Sequence, residues 1–179
     1  LRTGQRRTLV RKAALVRERP GDRQYWLTGG SLSPDGARIV LALAEATPSG
    51  TPGTAAGVGG TALLVNSAGG AAAALPPGSV GLAPSWSPDG TKLASYRLAT
   101  TPGENLLHIL GLPRGEALSY PLDPAYQATL GRLAWSNDSR WLAYNGARGL
   151  AIVAAGGQAQ TFPVAEEGRA PAWRPGGRA

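Results

Sequence analysis

From Trp86 to Tyr96 a large apolar residue, a short polar interruption and an alternating run follow one another, the pattern of a strand, a tight turn and a second strand. Trp86 closes the first strand. Pro88 fixes φ at the first central turn position, Asp89 can accept from the turn's own amides, and Gly90 takes the positive φ that closes the turn. Leu93 and Ser95 then alternate with Ala94 and Tyr96 along the second strand.

The same words return three times. Leu32-Ser33-Pro34-Asp35-Gly36 leads into Ile39-Val40-Leu41, and Trp135-Ser136-Asn137-Asp138-Ser139 leads into Trp141-Leu142-Ala143-Tyr144. Trp173-Arg174-Pro175-Gly176-Gly177 repeats the turn at the end of the sequence. The turn moves from position 34 to 88, 137 and 175, in steps of 54, 49 and 38 residues. A wandering period of this size fits sheet units with variable loops better than a rigid solenoid. The copies differ at single positions: Leu32 stands for Trp, Asn137 for Pro and Gly176 for Asp.

A Trp-Ser-Pro-Asp-Gly turn followed by Lys-Leu-Ala resembles the WD-repeat-like β-propeller units of the C-terminal domain of TolB-type proteins and of related sensor and peptidase propellers. The resemblance runs from about Thr3 to the end of the chain. It implies an all-β fold, a partial or small β-propeller of four-stranded antiparallel blades. It also implies a bacterial protein in an extracytoplasmic place, the periplasm or cell envelope. Function does not follow from it, because the repeat serves unrelated activities.

On this reading the chain is one propeller segment with blades at about 29–76, 82–122 and 132–164. An outer strand of a preceding blade is expected at 5–10, and the start of a further blade at 171–179. Arg11 to Thr28 reads as a polar connection, and Ala46 to Gly60 as a Gly- and Thr-rich flexible loop. The fourth strand of the first blade is expected at Ala71 to Leu75. A segment that opens and closes in mid-blade is expected to belong to a longer propeller and to expose edge strands, which invite self-association. A small four-bladed ring closed by pairing 5–10 with the last strand is a less favoured arrangement.

In an antiparallel meander the turns joining strands one to two and three to four emerge at one end, and all other connections at the opposite end. The first set is uniformly tight here. The second holds every long stretch, and variable loops on a rigid scaffold are where binding usually resides. Arg17, Arg19, Arg23, Tyr126 and Arg169 fall in that set and form the candidate partner-binding face.

Charge refines the picture. The formal net charge is +7, and eight of the 18 basic residues lie before residue 24. Such a run suits phosphate or anionic lipid, but no aromatic residues interleave to stack bases, so nucleic acid is disfavoured as a partner. With no Cys the chain has no disulfide and no thiolate metal site, and no apolar run is long enough to span a membrane as a helix.

Candidate catalytic residues are few. His108 is the only histidine and lies among Leu106, Leu107, Ile109 and Leu110, which reads as core packing. Gly57 to Ala62 matches a loose dinucleotide pattern, but it opens a strand and not a helix. Asn137-Asp138-Ser139 matches a glycosylation acceptor and is better read as turn chemistry. Glu166 and Glu167 adjoin beside Arg169 on a connection, where neighbouring carboxylates usually only solvate the loop.

No nucleophile elbow or phosphate loop occurs. Pro34, Asp35, Gly36, Trp86, Pro88, Asp89, Gly90, Trp135, Asp138 and Trp173 are read as structural, the Trp rings between blades and the Asp carboxylates in turns. The expectation is therefore a non-catalytic scaffold for a protein or peptide, without cofactor or metal. The alternative is a substrate-gating propeller of a prolyl-oligopeptidase-like serine hydrolase whose catalytic domain lies outside this segment.

Overall fold

The computed structural model describes residues 24–48, 55–76, 79–97, 105–112, 114–122, 131–146, 149–156, 160–166 and 171–174. The first blade contains β1 (Gln24–Leu32), β2 (Arg38–Pro48), β3 (Ala55–Asn66) and β4 (Ala73–Ala74). The second contains β5 (Leu82–Trp86), β6 (Lys92–Arg97), β7 (Leu106–Gly111) and β8 (Ala117–Pro121). The third contains β9 (Ala134–Trp135), β10 (Trp141–Gly146), β11 (Gly149–Ala154) and β12 (Thr161–Ala165). Each forms a four-stranded antiparallel sheet in sequence order, and the described residues contain no helix.

Blade 2 is covered on both faces, which explains why β6 and β7 are buried over four successive residues each. Because side chains alternate across a strand, Leu93 and Leu110 face blade 1 together with Trp86 of their own blade, and there they cluster with Val40, Ala62 and Val80. Ala94, Tyr96, Leu107 and Ile109 face blade 3 and meet Trp135, Leu142, Tyr144 and Val153. The two apolar clusters are thus the two seams between blades. Among the described residues, the large apolar side chains left exposed are Leu27 and Leu32 on blade 1 and Phe162 and Val164 on blade 3. Phe162 meets the edge of Trp141 at a ring separation of 5.9 Å.

The strands of blades 2 and 3 fall within the expected 82–122 and 132–164, except that β12 runs one residue further, to Ala165. Blade 1 differs more. The polar connection through Thr28 and the flexible loop from Ala46 to Gly60 are both corrected: Gln24 to Thr28, Ala46 to Pro48 and Ala55 to Gly60 are strand. Blade 1 accordingly begins at Gln24, earlier than the expected residue 29. Small residues with weak strand preference are held here by pairing, since β2 is laddered to β1 and β3 over most of its length. β4 conversely shrinks to Ala73–Ala74. The expected strand at 5–10 lies outside the described residues.

Candidate functional site

Each tight turn is built around a buried serine. The Ser33, Ser87 and Ser136 hydroxyls donate to Asp35, Asp89 and Asp138 Oδ1 at 2.5, 2.6 and 2.6 Å. The same hydroxyls accept the amides of Arg38, Lys92 and Trp141 at 2.8 to 2.9 Å. Each Asp Oδ1 also accepts the amide two residues on, from Ala37, Thr91 or Arg140. Pro34, Pro88 and Asn137 occupy the position between Ser and Asp. Gly36 and Gly90 close the first two turns at φ +70°. Ser139 closes the third at φ 58°, and its Oγ accepts the Asp89 amide at 3.0 Å, linking the turns of blades 2 and 3.

Donated hydrogen bonds favour a charged carboxylate. The Ser33 hydroxyl and the Ala37 amide hold Asp35 below the ordinary carboxylate value, and the Ser136 hydroxyl and Arg140 amide do so for Asp138. Partial burial would raise Asp89, but Ser87, both polar groups of Thr91 and the Lys92 ammonium outweigh it and hold the carboxyl at about 2.

The Trp rings sit in the seams. Trp86 Nε1 donates to the Ser31 carbonyl at 3.2 Å, Trp135 to Ser85 at 3.2 Å and Trp173 to Ala134 at 2.8 Å. The Arg38 guanidinium lies over the Trp86 ring, 5.0 Å from its centroid. His108 is buried, with Nδ1 3.1 Å from the Ser119 hydroxyl. Burial, helped by Arg97, pushes the imidazole below its ordinary pKa and keeps it neutral. Among the described residues no three His, Cys, Asp or Glu side chains gather to hold a metal ion.

The two turns of each blade are bonded side by side, through Ser67 to Ala37, Leu112 to Thr91 and Ala155 to Arg140, at 2.7 to 2.8 Å. This end also holds a shallow notch of about 250 Å³ lined by Lys92, Ser139, Arg140 and Trp141. Lys92 is already engaged there, 3.8 Å from Asp89 Oδ2 and 3.4 Å from the Ser139 carbonyl.

At the opposite end lie the connections between blades. Gly81 and Gly131 cross tightly over the second strands: a Cβ would fall 2.0 Å from the Tyr96 carbonyl oxygen and 2.2 Å from Asn145 Nδ2. Arg132 is exposed beside this crossing. Arg17, Arg19, Arg23, Tyr126 and Arg169 lie outside the described residues, so the structure neither gathers nor separates them. The serines of the turns were the residues without an assigned role in the sequence; their recurrence two positions before each Asp was the available signal.

No protein-family model matches the chain, and no curated protein matches it. Among solved structures it is similar to the β-propeller domain of the Trilobed protease from Pyrococcus furiosus, at 19% identity and TM-score 0.51 over 78% of this chain and 43% of that one. It is also similar to TolB from Acinetobacter baumannii, at 17% identity and TM-score 0.51 over 82% of this chain and 46% of that one. The chain spans less than half the length of either. These likenesses show the fold: a partial β-propeller of four-stranded antiparallel blades. Among the described residues no helix is long and apolar enough to cross a membrane.

Proposed function

We propose that this chain is a non-catalytic β-propeller scaffold, of the WD-repeat-like and TolB-like kind, that binds a protein or peptide with the end carrying its inter-blade connections. The observation that carries this reading is the contrast between the two ends. At one, three turns are fixed by repeated Ser–Asp bonding and by bonds between neighbouring turns. At the other, connections of differing length leave a rigid frame. The TolB likeness supports an extracytoplasmic location in the periplasm or cell envelope.

Photo-crosslinking in the native full-length protein tests the reading. A benzophenone amino acid at Arg132 is expected to capture one discrete protein, whereas the same group at the exposed Thr91 on the tight-turn end is not. Equal capture at both positions, or none at Arg132, would contradict it. A second reading, a gating propeller of a serine hydrolase, is favoured by the likeness to the Trilobed protease propeller domain. It predicts that the full-length protein reacts with a fluorophosphonate probe.

A further inference from the structure

A polar row crosses the apolar seam between blades 1 and 2. Ser95, His108 and Ser119 stand opposite one another on β6, β7 and β8. Directly opposed residues share a face of the sheet, and this face is the one that turns Leu93 and Leu110 toward blade 1. Ser95 and His108 are both buried, and His108 Nδ1 lies 3.1 Å from the Ser119 hydroxyl.

Ser95 also holds the entry to blade 2, its hydroxyl accepting the Gly81 amide at 2.8 Å. Just beyond, Ala83 has φ 50°, in the left-handed region that a Cβ disfavours. The pairing of β5 with β6 shifts register between Leu82 and Ser85. Strained backbone of this kind persists only while its surroundings hold it. Here the holders are the Ser95 bond, the pairing of Leu82 with Tyr96 and the burial of Val80 in the seam.

The charges about the row are cationic. Arg97 follows Ser95 by two residues on the same face of β6, whereas Lys92 meets Ser139 on the blade 3 side. On β2 the positions in register with Val40 carry one charge, Arg38, which lies over the Trp86 ring. β1, β3, β4, β5, β7 and β8 contain no Lys, Arg, Asp or Glu. A protonated His108 would be a buried charge with no carboxylate from these strands to pair with, a costly state.

We propose that His108 and Ser95 form an acid-released latch, in which protonation of the imidazole frees the Gly81–Pro84 entry to blade 2 while the ladder of β6, β7 and β8 stays closed. Burial and Arg97 hold the ring neutral, so proton uptake favours any movement that exposes it. The strained entry, held by one side-chain bond and one strand pair, is the part that yields. It lies at the end that carries the inter-blade connections, so control of partner binding by the latch rests on the scaffold reading; the latch itself does not.

Hydrogen exchange of the native full-length protein, read by mass from about pH 7.5 down to about pH 5.5, tests the latch. After correction for the intrinsic rate, opening at residues 81–83 is expected to rise by up to about tenfold for each pH unit below 6.5, with β6 and β7 unchanged. In His108→Gln the rise should vanish. Exchange of the His108 ring C2 hydrogen in the same samples should show a ring that protonates below 6.5 in the folded protein. A ring that protonates at 6.5 or above would overturn the latch even if the variant does not fold. Exchange at 81–83 that ignores pH, or that rises alike in His108→Gln, would overturn it as well. Opening of β6 and β7 in step with 81–83 would also overturn it, because the whole blade would then be lost. None of these outcomes touches the scaffold reading, which crosslinking at Arg132 judges separately.

Discussion

Trp135 donates its indole N–H to the carbonyl of Ser85 at 3.2 Å, and Ser85 immediately precedes the Trp of its own blade. Trp86 makes the same bond to Ser31, and Trp173 to Ala134. Each Trp thus ties its own segment to the inner strand before it through the indole donor, joined between blades 1 and 2 by the Trp86 amide to the Ser31 hydroxyl, while the ring fills the seam. Trp135→Ala should cost about 3–5 kcal/mol in urea unfolding, as for other buried aromatic deletions. Trp135→Phe, which keeps most of the ring but loses the donor, should cost roughly 1–3 kcal/mol. A Trp135→Phe variant as stable as the wild type would remove the hydrogen bond from the account, and equal costs for the two variants would remove the packing of the ring.

The Ser87 hydroxyl is fully buried and serves Asp89 and the Lys92 amide at once. Ser87→Ala should destabilise by about 1–3 kcal/mol, because the buried amide loses its acceptor. The Asp89 carboxyl, held at about 2 in the native turn, should then titrate closer to its ordinary 3.8. A carbon-detected NMR titration of the carboxyl reads this directly.

Acid should act on all three turns together. Asp35, Asp89 and Asp138 are each depressed in the folded chain, so their contribution is complete above the ordinary value of 3.8 and is lost as the pH falls through the folded values. The urea midpoint should fall between about pH 5 and pH 2, the window for a carboxylate depressed this far. Asp89→Asn should flatten that fall.

His108 adds an earlier acid phase. A neutral buried imidazole with a depressed pKa resists protonation, whereas the unfolded chain takes up the proton at about 6.5. Its contribution is therefore whole above 6.5 and declines below it. His108→Gln should abolish the decline of stability that begins below the ordinary imidazole value of 6.5 without touching the carboxylate phase.

Two glycines should separate crowding from backbone strain. Gly36 has φ +70° and open space about it, so Gly36→Ala should cost about 1–2 kcal/mol from the left-handed backbone alone. Gly81→Ala would drive a Cβ against the Tyr96 carbonyl oxygen and should cost more, at the upper end of the roughly 1–3 kcal/mol typical of overpacking. Thermal melts of the two variants compare them.

The turns were legible in the sequence because Pro34, Pro88, Gly36 and Gly90 have few other uses at such spacing. The β2–β3 extension was not, because Ala, Gly and Thr from Ala55 to Ala62 read as loop until a partner strand is supplied. Ser87 was not legible either, since a serine beside a turn is polar whether exposed or buried. The candidate site was readable only as a choice of end; Tyr126 and the arginines proposed with it fall outside the described residues.

The central claim is that this propeller binds without catalysing, and the sequence and mass of the native protein that carries it test this most directly. The account predicts further propeller blades and no G-x-S-x-G motif. A continuation into a domain with G-x-S-x-G followed by Asp and His would contradict it and make the segment a substrate filter.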